Sequence, residues 1–180
     1  MMNLRIFISV LMTVAALSFC TGADGQTKAV SSVWSLSGIG IGYEHYYSDD
    51  DYFQMDIKAM TDDIFIKEQW NPEVSVSMTW NMVFAERISD NGNRICFYAG
   101  PGAVVGWCRD YKAQAGAIFG FKGRLGAECT FASRHVSICA SLSPELAMHI
   151  CRKNGGTYMR LYRHGIIFGL LPEIGIKYAF

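Results

Sequence analysis

The 180-residue chain has no excess of either charge, since 16 Lys and Arg balance 16 Asp and Glu. A neutral chain offers no basic field to nucleic acid or to an anionic membrane surface. Proline is scarce, at 4 residues, and charged residues make up only 18%. Beyond the first 25 residues no apolar run approaches the roughly 20 residues a membrane-spanning helix needs. The cysteines match no zinc spacing such as paired C-x-x-C, so no metal or cofactor is expected. Yet 51% of the chain is hydrophobic. That apolar content must lie in many short pieces, and the 18 glycines and abundant aromatics suit strands better than helices.

The first 25 residues read as a signal peptide. Arg5 gives a small positive start, Ile6 to Leu17 an apolar stretch too short to span comfortably, and Ala23-Asp24-Gly25 a small-residue cleavage site before Gln26. The expected organisation is a leader over 1–25 and one domain over 26–180. A rival reading lipidates Cys20, but Phe19 before it is too bulky for a lipobox. Removal of Cys20 leaves five cysteines, an odd number, in a compartment that would permit disulfides.

Period-two alternation is the dominant signal. From Gly165 to Phe180, Ile166, Phe168, Leu170, Pro172, Ile174, Ile176, Tyr178 and Phe180 share one face. Gly, Glu173 and Lys177 are among the residues on the other. Segments 116–131, 136–150, 74–84 and 94–108 repeat the pattern, and 38–47 and 52–60 do so more weakly. An eighth strand, needed to bring both termini to one side, is placed within Lys28–Ser35. Short turns at Ser48–Asp51, Ser89–Asn93 (with Asp90-Asn91-Gly92) and Ala132–His135 alternate with long connections at Thr61–Pro72, Arg109–Ala115 and Arg152–His164.

This predicts an all-β fold, a closed antiparallel up-and-down transmembrane β-barrel of eight strands. Hydrocarbon requires every backbone polar group to be paired internally, so only helices and closed barrels cross it. A soluble sandwich also alternates, but its solvated face would carry more Lys and Glu than these Gly- and Ser-rich faces. Bulky aromatics near strand ends form the expected girdle: Trp107 on the outer side, and Tyr43, Phe84, Phe131, Tyr178 and Phe180 on the periplasmic side.

The ending Ile174-Gly175-Ile176-Lys177-Tyr178-Ala179-Phe180 resembles the C-terminal signature of outer-membrane proteins. The resemblance implies that Ile176, Tyr178 and Phe180 are read by the barrel-assembly machinery. Size and leader make the chain similar to the small eight-stranded OmpA/OmpX-like barrels. Gln26 and the Gly-x-Gly-x-Gly-Tyr-Glu start at Gly38–Glu44 are similar to Bacteroidetes-type outer-membrane barrels. The location implied is the outer membrane of a Gram-negative bacterium, and the partners are outer-membrane lipid and lipopolysaccharide.

The interior is expected to hold Glu44, Asp56, Lys58, Arg94, Lys122, Arg124, Glu128, Glu145, Glu173 and Lys177. Buried charges must be paired, which predicts a salt-bridge network plugging a lumen too narrow for more than side chains or one small ligand. Ser141, Ser143, Glu145 and His149 share an inward face, and some small outer-membrane barrels are lipid A acyltransferases or deacylases. Ser143 and His149 would stand about 20 Å apart along one strand, beyond the contact a triad needs, and the His-x-Ser-Asn-type motif of the deacylases is missing. A structural or surface-interaction barrel without catalysis is therefore expected, a monomer, with a lipid-modifying enzyme or narrow pore as alternatives. Loop residues Lys67, Trp70, Arg109, Tyr111, Lys112, Arg152, Lys153, Tyr158, Arg160, Tyr162 and Arg163 suit a protein ligand or lipopolysaccharide phosphates. Cys96 with Cys139, and Cys108 with Cys151, are expected about 10 Å apart, too far to bridge.

Overall fold

The computed structural model describes residues 27–36, 38–60, 73–110, 115–131, 135–153 and 156–180. The leader and the loop residues Lys67, Trp70, Tyr111 and Lys112 lie outside them, as does the side chain of Lys153. The strands are β1 (Lys28–Ser35), β2 (Gly38–Tyr46), β3 (Asp51–Met60), β4 (Glu73–Ile88), β5 (Arg94–Cys108), β6 (Gly116–Thr130), β7 (Val136–Leu142), β8 (Glu145–Lys153), β9 (Gly156–Leu161) and β10 (Glu173–Ala179). One helix, α1, covers Arg163–Gly169. No described helix is long and apolar enough to cross a membrane.

Every pairing is antiparallel, and each strand through β6 pairs with the next. Both β7 and β8 pair with β6, and β10 closes the ring between β7 and β1. The ten strands therefore make eight staves. The seventh is β7 followed by β8, and the eighth is β9, α1 and β10. β1 occupies the position the sequence assigns to the missing strand.

Closure fixes the stagger. Stepping across paired residues from Val30 through Tyr43, Met55, Met78, Ala103 and Phe121 reaches Leu146. Stepping the other way through Tyr178 reaches Val136, ten residues earlier on the same stave. Ten residues of rise against eight strand spacings tilt the strands by about 40°, a barrel just wide enough for side chains to fill.

Turn chemistry follows the sequence. Ser48 Oγ accepts hydrogen bonds from the amides of Asp50 and Asp51, and Gly92 takes φ 78° in the β4–β5 turn, a conformation glycine adopts without strain. A bulge between Val83 and Ala85 leaves Phe84 as the extra residue, pointing outward.

Three expectations need correction on the last staves. The segment Val136–Ile150 is broken at Ser143–Pro144, because proline has no N–H for the ladder. The register survives the break: Ser141 faces Gly126, Glu145 faces Lys122, and the Gly123 amide donates to the Pro144 carbonyl at 2.9 Å. The run Gly165–Phe180 is not one strand, and Arg152–His164 is not a loop. β8 and β9 form a hairpin there, and α1 follows. Leu161 faces Met148 and Glu173 faces Ser141, so the eighth stave uses twelve residue steps where the seventh uses seven. The surplus is wound into α1. Asp110, from beyond β5, caps it: its Oδ1 accepts the amides of Arg163 and His164 at 3.1 and 3.3 Å, and its Oδ2 pairs with Arg160 at 3.0 Å. Gly165 and Gly169 let α1 lie flat on the seventh stave, since a Cβ on Gly169 would fall 2.4 Å from the Ser143 carbonyl oxygen.

Candidate functional site

The two wall faces differ sharply. Ile39, Ile57, Met78, Val105, Phe121, Leu146 and Ile174 are exposed on the outside, whereas Ser31, Gln54, Asp56, Thr79, Asn81, Lys122, Arg124 and Lys177 are buried within. A soluble fold would reverse this. Only a surrounding apolar solvent makes the arrangement favourable, because exposed apolar area costs nothing against acyl chains. Tyr43, Phe84, Phe131, Tyr178 and Phe180 sit on the wall toward the end that carries the termini, and Trp107 toward the opposite, loop end. Tyr178 stacks on His135, and the Phe180 amide donates to the Lys28 carbonyl at 2.9 Å, tying the C-terminus to β1. Trp34 and Trp80 also face outward, Trp80 on the apolar face of the alternating segment 74–84.

The lumen charges form three clusters. Nearest the termini, Lys177 Nζ donates to Glu44 and Tyr46 Oη at 2.8 Å each, and also to Glu128. Its ammonium stands over the Tyr46 and Tyr52 rings, a placement that adds cation–π attraction. In the middle, Arg124 meets Asp56 at 2.9 Å, and Gln54 Nε2 donates to the other Asp56 oxygen at 2.7 Å. Lys122 donates to Ser77 at 2.9 Å and stands 3.9 Å from both Asp56 and Glu145. Higher up, Lys58 donates to Glu173 at 2.6 Å, and Ser143 donates to the other Glu173 oxygen at 3.1 Å. Gln54, Asn81 and Thr79 hydrogen-bond in series along the β3–β4 wall. These polar side chains belong to the inward faces of alternating strands, a signal the sequence carried.

Arg94 stands apart from these clusters, correcting its assignment to the interior. It pairs with Glu86 at 2.6 Å on the protruding β4–β5 hairpin, with more than a third of its side chain exposed. Tyr162 is corrected in the opposite sense. Expected in an outer loop, it is 1% exposed, its hydroxyl donates to Met60 Sδ at 3.4 Å, and its ring stacks on His149. His149, expected on an inward face, is fully buried and bonds through Nε2 to the Cys108 carbonyl at 3.0 Å. Ser141 is a partner of Arg124, and Ser143 a partner of Glu173. Cys96, Cys108, Cys129, Cys139 and Cys151 are unbridged. Among the described residues no group of three or more His, Cys, Asp or Glu could hold a metal ion.

The fold and its inverted faces define a small eight-stranded transmembrane β-barrel of the outer-membrane type. No family model matches the chain, and no curated protein matches it. Among solved structures, it is similar to the N-terminal β-barrel domain of Pseudomonas aeruginosa OprF. The identity is 12% and the TM-score 0.48, over 87% of this chain and 100% of that one.

Proposed function

We propose that the chain is an exported barrel of a Gram-negative outer membrane, related to the Bacteroidetes-type barrels, with a structural or surface-interaction role and no catalysis. One observation carries this: the central lumen is filled by mutually paired side chains. Lys122, Arg124 and Lys177 are each no more than 5% exposed. Such a plug fills the barrel and leaves little path for ions. Ser143 donates its hydroxyl to Glu173, and this favours a supporting role over acyl transfer. Residues 1–25 would direct export, and Ile176, Tyr178 and Phe180 would be read during assembly. Arg152 and Arg163, both exposed at the loop end, suit lipopolysaccharide phosphates or an extracellular protein ligand.

Two measurements on the purified chain test the reading. Unboiled protein should migrate faster on a gel than boiled protein, and planar bilayers containing it should show no resolved conductance steps. Identical migration with and without boiling would refute the membrane barrel. Stable single-channel steps would refute the plug and favour the pore. Unchanged lipid A acylation on deleting the gene is also expected, and an altered pattern would establish an enzyme instead.

A further inference from the structure

Among the described residues the wall is not hydrogen-bonded all the way round. β1 ends at Ser35, and its last partner on the eighth stave is Ile174. Toward the loop end from Glu173 that stave consists of α1 and β9, and among the described residues β9 pairs only with β8. The tip of the β1–β2 hairpin therefore stands beside a stretch of wall with no sheet across it. α1 fills that stretch with a self-bonded backbone, which hydrocarbon tolerates, and exposes Ile167 and Leu170 outward.

Behind α1 lies a small cavity lined by residues that include Lys58, Ser143, Glu145, Tyr162, His164 and Phe168, whose enclosed part has room for about one water-sized group. Glu145 is 5% exposed, and its Oε2 is buried without a hydrogen-bond partner. Its other oxygen has only Lys122, at 3.9 Å. Lys58, the cation lining the cavity, is already engaged by Glu173 at 2.6 Å. Across the three lumen clusters five carboxylates (Glu44, Asp56, Glu128, Glu145 and Glu173) face four cations (Lys58, Lys122, Arg124 and Lys177). Lys177 serves two of these acids, and Glu145 is the one of the five with no cation within hydrogen-bond distance. A buried carboxylate with an unpartnered oxygen and a water-sized space before it thus lie behind a lateral seam in the sheet that α1 closes.

We propose that this seam is a side-entry site for a single-chain amphiphile with a primary ammonium head. The head meets Glu145 Oε2, and the alkyl tail passes Phe168 into the lipid along α1. A phosphate head is excluded by its size and by its sign against Glu145. The proposal rests on the membrane-spanning reading above. To test it, the full chain in phosphatidylcholine nanodiscs is titrated with decylammonium, decanol or decyl sulfate while the backbone amides are followed by NMR. Decylammonium should give saturable shifts centred on Gly165 and Gly169. Decanol, decyl sulfate and the shape-conserving variant Glu145→Gln should each weaken the affinity at least tenfold. Equal affinity in Glu145→Gln, no saturation, or shifts spread evenly over outward positions such as Phe121 and Leu125 would overturn the site. If Glu145→Gln does not fold, the decylammonium-to-decanol comparison on the native chain decides alone. Heat modifiability of the same preparation reports separately on the barrel itself, so failure of the site and failure of the membrane reading are distinguishable.

Discussion

Lys177 offers the sharpest test of the lumen as a set of interdependent charges. Replacing it with Met keeps most of the volume and removes the one cation that serves both Glu44 and Glu128. Each carboxylate lies within hydrogen-bond reach of the same Nζ, so the two acids stand about 5 Å or less apart. Two like charges at about 5 Å repel by roughly 3 kcal/mol at an effective dielectric of about 20. The lost bond to Tyr46 Oη adds about 1 kcal/mol. The expected loss is therefore about 3–5 kcal/mol, the range for removing one member of a buried ion pair. The assay is the urea midpoint for loss of the fast-migrating gel band, in lipid vesicles. The triple variant Lys177→Met, Glu44→Gln, Glu128→Gln should recover most of the loss, because no unpaired charge then remains. A single variant with the native midpoint, or a triple variant no better than the single, would refute the argument.

Other outcomes follow from the same geometry. Arg124→Met should lower stability by about 3 kcal/mol by the same urea assay, since Asp56 would keep only Gln54 and the more distant Lys122. Gly126→Val should cost about 1–3 kcal/mol, because a Cβ there falls 2.5 Å from the buried Tyr98 ring; tyrosine fluorescence would show the ring displaced. Asp110→Ala should remove about 1 kcal/mol of capping and speed amide exchange at Gly165–Gly169 while leaving β3–β5 protected. Phe121→Arg, at the most exposed outward aromatic, should cost up to about 2–4 kcal/mol in a bilayer. A neutral result would argue that this wall does not face lipid.

Several of these features could be read before any coordinates. Alternation is local and has period two, so it assigned Asp56, Lys122, Arg124, Glu173 and Lys177 to one face and Met78, Val105 and Leu125 to the other without knowledge of strand partners. The count of strands came from the same signal, together with the requirement that both termini share a side. The end of the chain was harder. Ile166-Ile167-Phe168 and Leu170-Leu171 are consistent with a strand or a helix, because a short apolar run carries no decisive period. The choice fell to α1 through contacts from distant residues, the Asp110 cap and the packing of Gly165 and Gly169 on Ser143–Glu145.

The order of residues alone determined which side chains face lipid and which face one another, since a pleated strand sends neighbours to opposite sides. It could not determine who pairs with whom. Lys177 meets Glu44 across 133 positions and Lys58 meets Glu173 across 115, and these partners are set by the ten-residue stagger that closure imposes. The interruption of the sheet that α1 fills likewise exists only because β1 stops where β10 begins, a property of two staves side by side that neither segment carries by itself.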